Sequence, residues 1–188
     1  MRHPASGEAS VFVRETGMTM LAAIPFASGF AIDAVMHVLV DRLKRRGLRL
    51  AGVVQHNDDG CDDLCMAMSL EDVATGRRFP ISQNLGSGAA GCHLDAAGLA
   101  AAAAAFSEAS AGRVDLVIVN RFGKQEALGE GLRQEIAGAL LAGLPLLIAV
   151  RSDFLPAWRD FAGDDWLELP PDEEAVERWA LAVTAVAA

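Results

Sequence analysis

At 188 residues, with 52% hydrophobic and 22% charged side chains, the chain is long and apolar enough to bury one substantial core, and no second domain is needed to account for it. A formal net charge of -9 and a pI near 4.8 exclude wrapping nucleic acid or lying on an anionic membrane, both of which need dense Lys and Arg. The uncharged run from Thr16 to Ile32 is shorter than a bilayer-spanning helix and is broken by Pro25, Ser28 and Gly29. A small anion held in a local pocket is not excluded.

In chain order, residues 1–18 have no periodicity and read as a flexible leader, with Met18 or Met20 as alternative natural starts. A signal peptide is the competing reading, because Arg2 and Arg14 precede an apolar stretch. Residues 19–188 read as a single α/β domain. Short apolar runs predict strands at Met20–Phe26, Leu48–Gln55, Asp115–Asn120, Leu144–Val150 and Trp166–Leu169. Helical spacing predicts helices at Ala31–Arg46, Asp95–Ala111, Leu128–Ala142 and Asp172–Val186. The alternation implies βαβ units: a three-layer sandwich around a mostly parallel, P-loop-like sheet. Residues 57–93 interrupt it. There "CMAMSLEDV" and "RRFPISQNL" flank "ATG", which predicts a β-hairpin insertion projecting from the end of the second strand.

"FASGFAID" has the strand–turn–helix layout that opens a P-loop, yet lacks the lysine that neutralises phosphate. Ser28 and Gly29 are candidate turn donors, whereas Asp33 in the first helical turn would repel a phosphate there. "DLVIVNRFGKQEALGEG" delivers Asn120 and Arg121 at a strand tip, followed by Gly123, Lys124 and Glu126 in a glycine-bearing loop. Lys124 is the candidate cation and Glu126 the candidate group for orienting a water or taking a proton, so these two are the catalytic candidates. Gln55 and His56, and Arg151 and Ser152, leave other strand tips on the same edge. His37, inside the first helix, reads as structural or exposed. "SQNLGSGAAGCHLD" is a glycine-rich loop in which Gly86, Gly88 and Gly91 permit a nest of N–H groups beside Cys92. Cys61, Cys65 and Cys92 are odd in number, which suggests free thiols in a reducing compartment, hence the cytoplasm. A soft-metal site on Cys65 and Cys92 is the alternative.

The blocks "LRLAGVVQ", "CMAMSLEDVATGRRFPISQNLGSGAAGCHLD" and "DLVIVNRFGKQEALGEGLRQEIAGALLAGLPLLIAV" resemble, in this order, an uncharacterised bacterial domain family of unknown function. Members of that family are often labelled molybdenum transport-associated or nucleotide-binding. The resemblance implies recurring cysteines at Cys65 and Cys92, with arginine common where this chain has His93. More distantly, Gly123, Lys124 and Glu126 resemble the Gly-Lys-x-Glu segment of small P-loop nucleoside-triphosphatases. Here Asn120 and Arg121 replace the acidic pair that organises magnesium.

The residues and the resemblance together lead to an expected function. An anionic small ligand, a nucleotide or an oxyanion such as molybdate, would bind at the C-terminal edge of the sheet without efficient hydrolysis. Ser28, Gly29, Gln55, Gly88, Cys92, Asn120, Gly123 and Lys124 are the expected contacts. Two alternatives stay open: an NTPase or phosphotransferase using Lys124 and Glu126, and a thiol-based metal-handling accessory protein. The cofactor is accordingly a nucleotide, an oxyanion or a soft metal. No nucleic-acid partner and no membrane span are expected, and a homodimer is left open.

Overall fold

The apolar runs become strands buried on both faces. The computed structural model describes residues 18–58, 67–83 and 93–187. Strand β1 (Leu21–Phe26) leads through a short turn into α1 (Ile32–Arg45), and then come β2 (Leu50–Asp58), β3 (Ala67–Asp72) and β4 (Arg78–Pro80). A small pair, β5 (Ser82–Gln83) and β6 (His93–Leu94), precedes α2 (Ala96–Ser110). Next are β7 (Leu116–Phe122), α3 (Lys124–Ala127), α4 (Arg133–Leu141) and β8 (Leu146–Arg151). A 3-10 turn leads into α5 (Leu155–Ala162), and β9 (Leu167–Glu168) and α6 (Glu173–Ala187) follow.

The main sheet has seven strands in the order β4-β3-β2-β7-β8-β1-β9. β3 and β4 run antiparallel, and the other pairings are parallel. Alternate residues of β1 feed two cores. Ala22, Ile24 and Phe26 pack with Met36 and Leu39 of α1 and Val183 of α6, while Leu21 and Ala23 pack with Phe106 of α2, Ile136 of α4 and Trp158 of α5. Each fully buried Leu, Ile or Phe contributes about 1.5–3 kcal/mol. Neighbouring β1 and β8 are followed by helices on opposite faces, so their carboxyl ends open the crevice where ligands of open α/β sheets bind. The Ser152 hydroxyl spans it, donating to the Phe26 carbonyl at 2.9 Å.

Several elements differ from the sequence expectation. The hairpin does not project: β3 turns back along β2, with Asp58 opposite Ala67 and Val53 opposite Asp72, and extends the sheet edge. The expected helix at Leu128–Ala142 is shorter, α4 beginning only at Arg133, because Gly129 (φ 89°) and Gly131 (φ 65°) adopt the left-handed backbone that separates it from the short α3, which the sequence reading did not predict. Helix α5 has no counterpart in the expectation. It starts with Pro156 in its first turn, where the missing N–H costs nothing, and its short apolar face does not stand out as a period. The leader, Cys61, Cys65, Gly88 and Cys92 lie outside the described residues.

Candidate functional site

Strand β7 builds the site through an irregularity at its tip. Asn120 lies opposite Ala149 and Phe122 opposite Val150, so Arg121 is an extra residue in the ladder, and the Asn120–Arg121 peptide is cis. Up to that point the strand alternates, with Leu116 and Ile118 in the α1–α6 core and Val117 and Val119 in the other. The bulge shifts the phase. Phe122 joins the core of Val119, packing edge-on to Trp158 at 5.3 Å, and Asn120 and Arg121 are both left to reach α1. Bulges re-aim side chains in this way.

Both reach Asp33. Asn120 Nδ2 donates to Asp33 Oδ1 at 2.7 Å, and Arg121 Nη2 lies 3.9 Å from Asp33 Oδ2. Asn57, at the end of β2, donates its own Nδ2 to Asp33 Oδ2, and Gln55 Nε2 donates to Asn57 Oδ1 at 2.6 Å. One carboxylate therefore ties together the tips of β2 and β7 and the start of α1. The Arg121 guanidinium also lies 5.9 Å from the Phe26 ring, the last residue of β1. Because amide donors and a guanidinium surround it, Asp33 is a weaker obstacle to an anion than its position in the sequence implies.

One helical turn further along α1, the His37 ring stacks on His56 of β2 with centroids 4.0 Å apart. His56 Nε2 is 2.7 Å from Glu71 Oε2 on β3. Burial holds the His37 imidazole below its ordinary value, and the neighbouring His56 adds to this, while Asp33, Glu71 and the Gln55 backbone act in the opposite sense.

The loop after β7 is organised by Glu126. Its buried carboxylate accepts from the Gly123 N–H at 2.9 Å and the Leu132 N–H at 3.1 Å. Arg133 closes the same loop by donating to the Glu126 carbonyl at 2.8 Å, with its guanidinium 4.3 Å from the Phe161 ring of α5. Lys124 is exposed. Between this loop and the β3–β4 hairpin lies a cleft of about 160 Å³. Gln55, Asn120, Arg121, Lys124, Gln125 and Glu126 supply its polar lining, with Gly123 and Gly131 from the loop. Its apolar walls are Met68, Leu70, Ile81, Leu94, Leu99 and Leu132.

Of the residues expected from sequence, Gln55, Asn120, Gly123 and Lys124 meet at this cleft. Ser28 and Gly29 do not line it; they sit exposed in the β1–α1 turn, which is closed by the Phe30 N–H on the Ala27 carbonyl at 3.2 Å. The sequence reading missed Asp33 as a hub, Asn57 as its partner, the His37–His56 stack and the support from α5. An acid one turn before a histidine on the helix that follows the first strand was the available signal for the first and third. Among the described residues no cluster of three or more His, Cys, Asp or Glu could hold a metal ion, and no helix is long and apolar enough to cross a membrane.

The model of the family described as "Protein of unknown function (DUF2478)" matches residues 21–179, which contain every element from β1 to the first turns of α6. The chain belongs to the DUF2478 family. A relative from Bradyrhizobium diazoefficiens, named molybdenum import ATP-binding protein ModC 2, is 42% identical over 159 residues. That alignment covers 85% of this chain and 18% of the relative, so this DUF2478 chain spans under a fifth of the curated relative's length. The solution structure of a human cancer-related nucleoside triphosphatase superposes with a TM-score of 0.58 at 12% identity, covering 89% of this chain and 96% of that one. The likeness is one of fold: a mostly parallel α/β sheet flanked by helices, similar to that of a nucleoside triphosphatase.

Proposed function

We propose that the protein binds an anionic small ligand, a nucleotide or an oxyanion such as molybdate, at the C-terminal edge of the sheet and does not turn it over efficiently. The observation that carries this reading is Arg121. Its one ion pair among the described residues is the loose 3.9 Å contact with Asp33, which steers the guanidinium toward Phe26 and the β1–α1 turn while leaving donors for an anion. Arginine suits that task because its planar fork matches oxyanions in two-point geometry. Lys124, exposed at the lip of the cleft, adds a second cation.

The name of the Bradyrhizobium relative joins ATP binding and molybdenum import, which favours these two ligand classes here. Three features argue against efficient hydrolysis. The turn has no lysine, Asn120 stands where the metal-organising acid of such folds sits, and the Glu126 carboxylate is occupied by two backbone N–H groups.

Thermal unfolding of the full chain with ATP, GTP, pyrophosphate, molybdate and tungstate tests the reading. A ligand at about a hundred times its dissociation constant stabilises by about 2.7 kcal/mol, and Arg121→Ala is expected to erase that shift. No shift with any of them at millimolar levels overturns the reading. Phosphate release above background in the presence of magnesium, lost in Lys124→Ala, overturns the non-hydrolytic part alone.

A further inference from the structure

One helical turn after Asp33, and so on the same face of α1, His37 stacks on His56 of β2 with centroids 4.0 Å and planes 21° apart. The stack meets the polar network of the strand tips from two elements. His56 lies in β2 between Gln55 and Asn57, the pair of amides that ends on Asp33, and His37 hydrogen-bonds to the Gln55 backbone. His37 Nε2 has no partner among the described residues, so one ring nitrogen is left to take a proton.

The charges that face this ring come from several elements. Its own helix supplies Asp33 and, one turn further on, the exposed Asp41. Across His56, β3 supplies Glu71, whose carboxylate is 2.7 Å from His56 Nε2 and 3.4 Å from Arg78 Nε of β4. Strand β7 contributes Arg121 by way of Asp33. The acids that α6 turns toward α1, Glu173 and Glu177, are already paired with Arg42 and Arg46. Burial, with His56 adding to it, holds the His37 imidazole below its ordinary 6.5, so the stack carries no charge on this ring at neutral pH.

Asp33 is the link between ring and guanidinium. Its two oxygens accept from Asn120 and Asn57, and Arg121 Nη2 lies 3.9 Å away. A proton on His37 gives this carboxylate a second cation one turn away and weakens its claim on Arg121. An anion that draws the guanidinium off leaves the carboxylate to favour the proton. We infer that the stack is a proton-linked regulator of the anion site, in which an anion at Arg121 and a proton on His37 strengthen each other through Asp33. The proton comes from solvent and forms its bond to Nε2. Such coupling is reciprocal, each ligand changing the affinity for the other by the same factor. The inference rests on the anion-binding reading above for its ligand and on the stack for its proton.

Calorimetric titration of the full chain with sulfate and with molybdate at micromolar protein tests it, since neither dianion takes up a proton at the pH values used. Affinity is expected to rise about fivefold from about pH 8 to about pH 5.5, while His37→Asn binds at both with the strength of the native chain at the higher pH. Imidazole proton resonances of the native chain give a second measurement that needs no variant: the His37 midpoint should move up when sulfate is added. Affinity that is flat or falls as the pH drops, an equal rise in His37→Asn, or a His37 midpoint indifferent to sulfate overturns the coupling and spares the anion site. No binding of either anion at either pH overturns the anion site and the coupling with it.

Discussion

The two ends of the same strand pair, β2 and β7, are finished differently. At the amino end, Arg49 and Asp115 close on each other. The carboxylate takes the Arg49 backbone N–H at 2.7 Å and two guanidinium nitrogens, and this pairing holds Asp115 below the usual carboxylate range. At the carboxyl end the acid comes from a helix, is shared by two asparagines and an arginine, and leaves the buried Asn120 oxygen without a donor. The first arrangement completes itself and has only structure to offer. The second has unspent hydrogen-bonding capacity, and the proposed ligand site lies at that end.

The contrast can be broken from either end. The largest effect is expected for Glu126→Ala, which removes a buried carboxylate from two N–H groups and should cost about 3 kcal/mol in urea unfolding. A loss below about 1 kcal/mol would mean that the loop holds itself. Asp33→Ala should cost about 2 kcal/mol and weaken anion binding about tenfold, because Arg121 loses its tether; tighter binding instead would show that the carboxylate opposes the ligand. Asp115→Asn, at the finished end, should cost about 1 kcal/mol or less, as partly exposed pairs do, and leave ligand titrations unchanged. Since the Asp115 value is depressed on folding, its contribution is present above 3.8 and is lost as the pH falls through and below that value.

The smallest effect concerns His37. Its folded value is lowered, so the unfolded chain takes up the proton more readily. Stability from this group is full above 6.5 and declines as the pH falls below that. Unfolding of His37→Asn across this range should lose that part of the slope. An unchanged slope would show that the stacked ring is not titrating as placed.

The parallel strands were legible because burial on both faces leaves continuous apolar runs such as "LVIV" and "LLIAV", and α1 was legible because its stripe and basic end are local signals. The hairpin was legible as a hairpin, yet its pairing with β2 depends on contacts far apart in the chain. The break between α3 and α4 turned on Gly129 and Gly131, through which the expected helix from Leu128 ran. Gln55, Asn120, Gly123 and Lys124 were placed at the sheet edge because strand tips and glycine loops can be recognised one at a time, and the structure brings the four to one cleft. The partners of Asp33 were not legible because Asn57 and Asn120, which donate to it, are not near it in sequence. The Arg121 bulge leaves no mark on the pattern at all, since only the partner strand reveals the extra residue.

That bulge has a consequence for how the edge can change over time. Val119 before it and Phe122 after it are both fixed in one core, Phe122 by Trp158 and Phe161. The two residues between them are therefore bracketed, like a removable link between two riveted plates. Exchanging Arg121, the part-exposed member of the pair, alters the charge at the edge without asking Val119 or Phe122 to move. A lineage could change the charge of this tip by one substitution and keep the same interior.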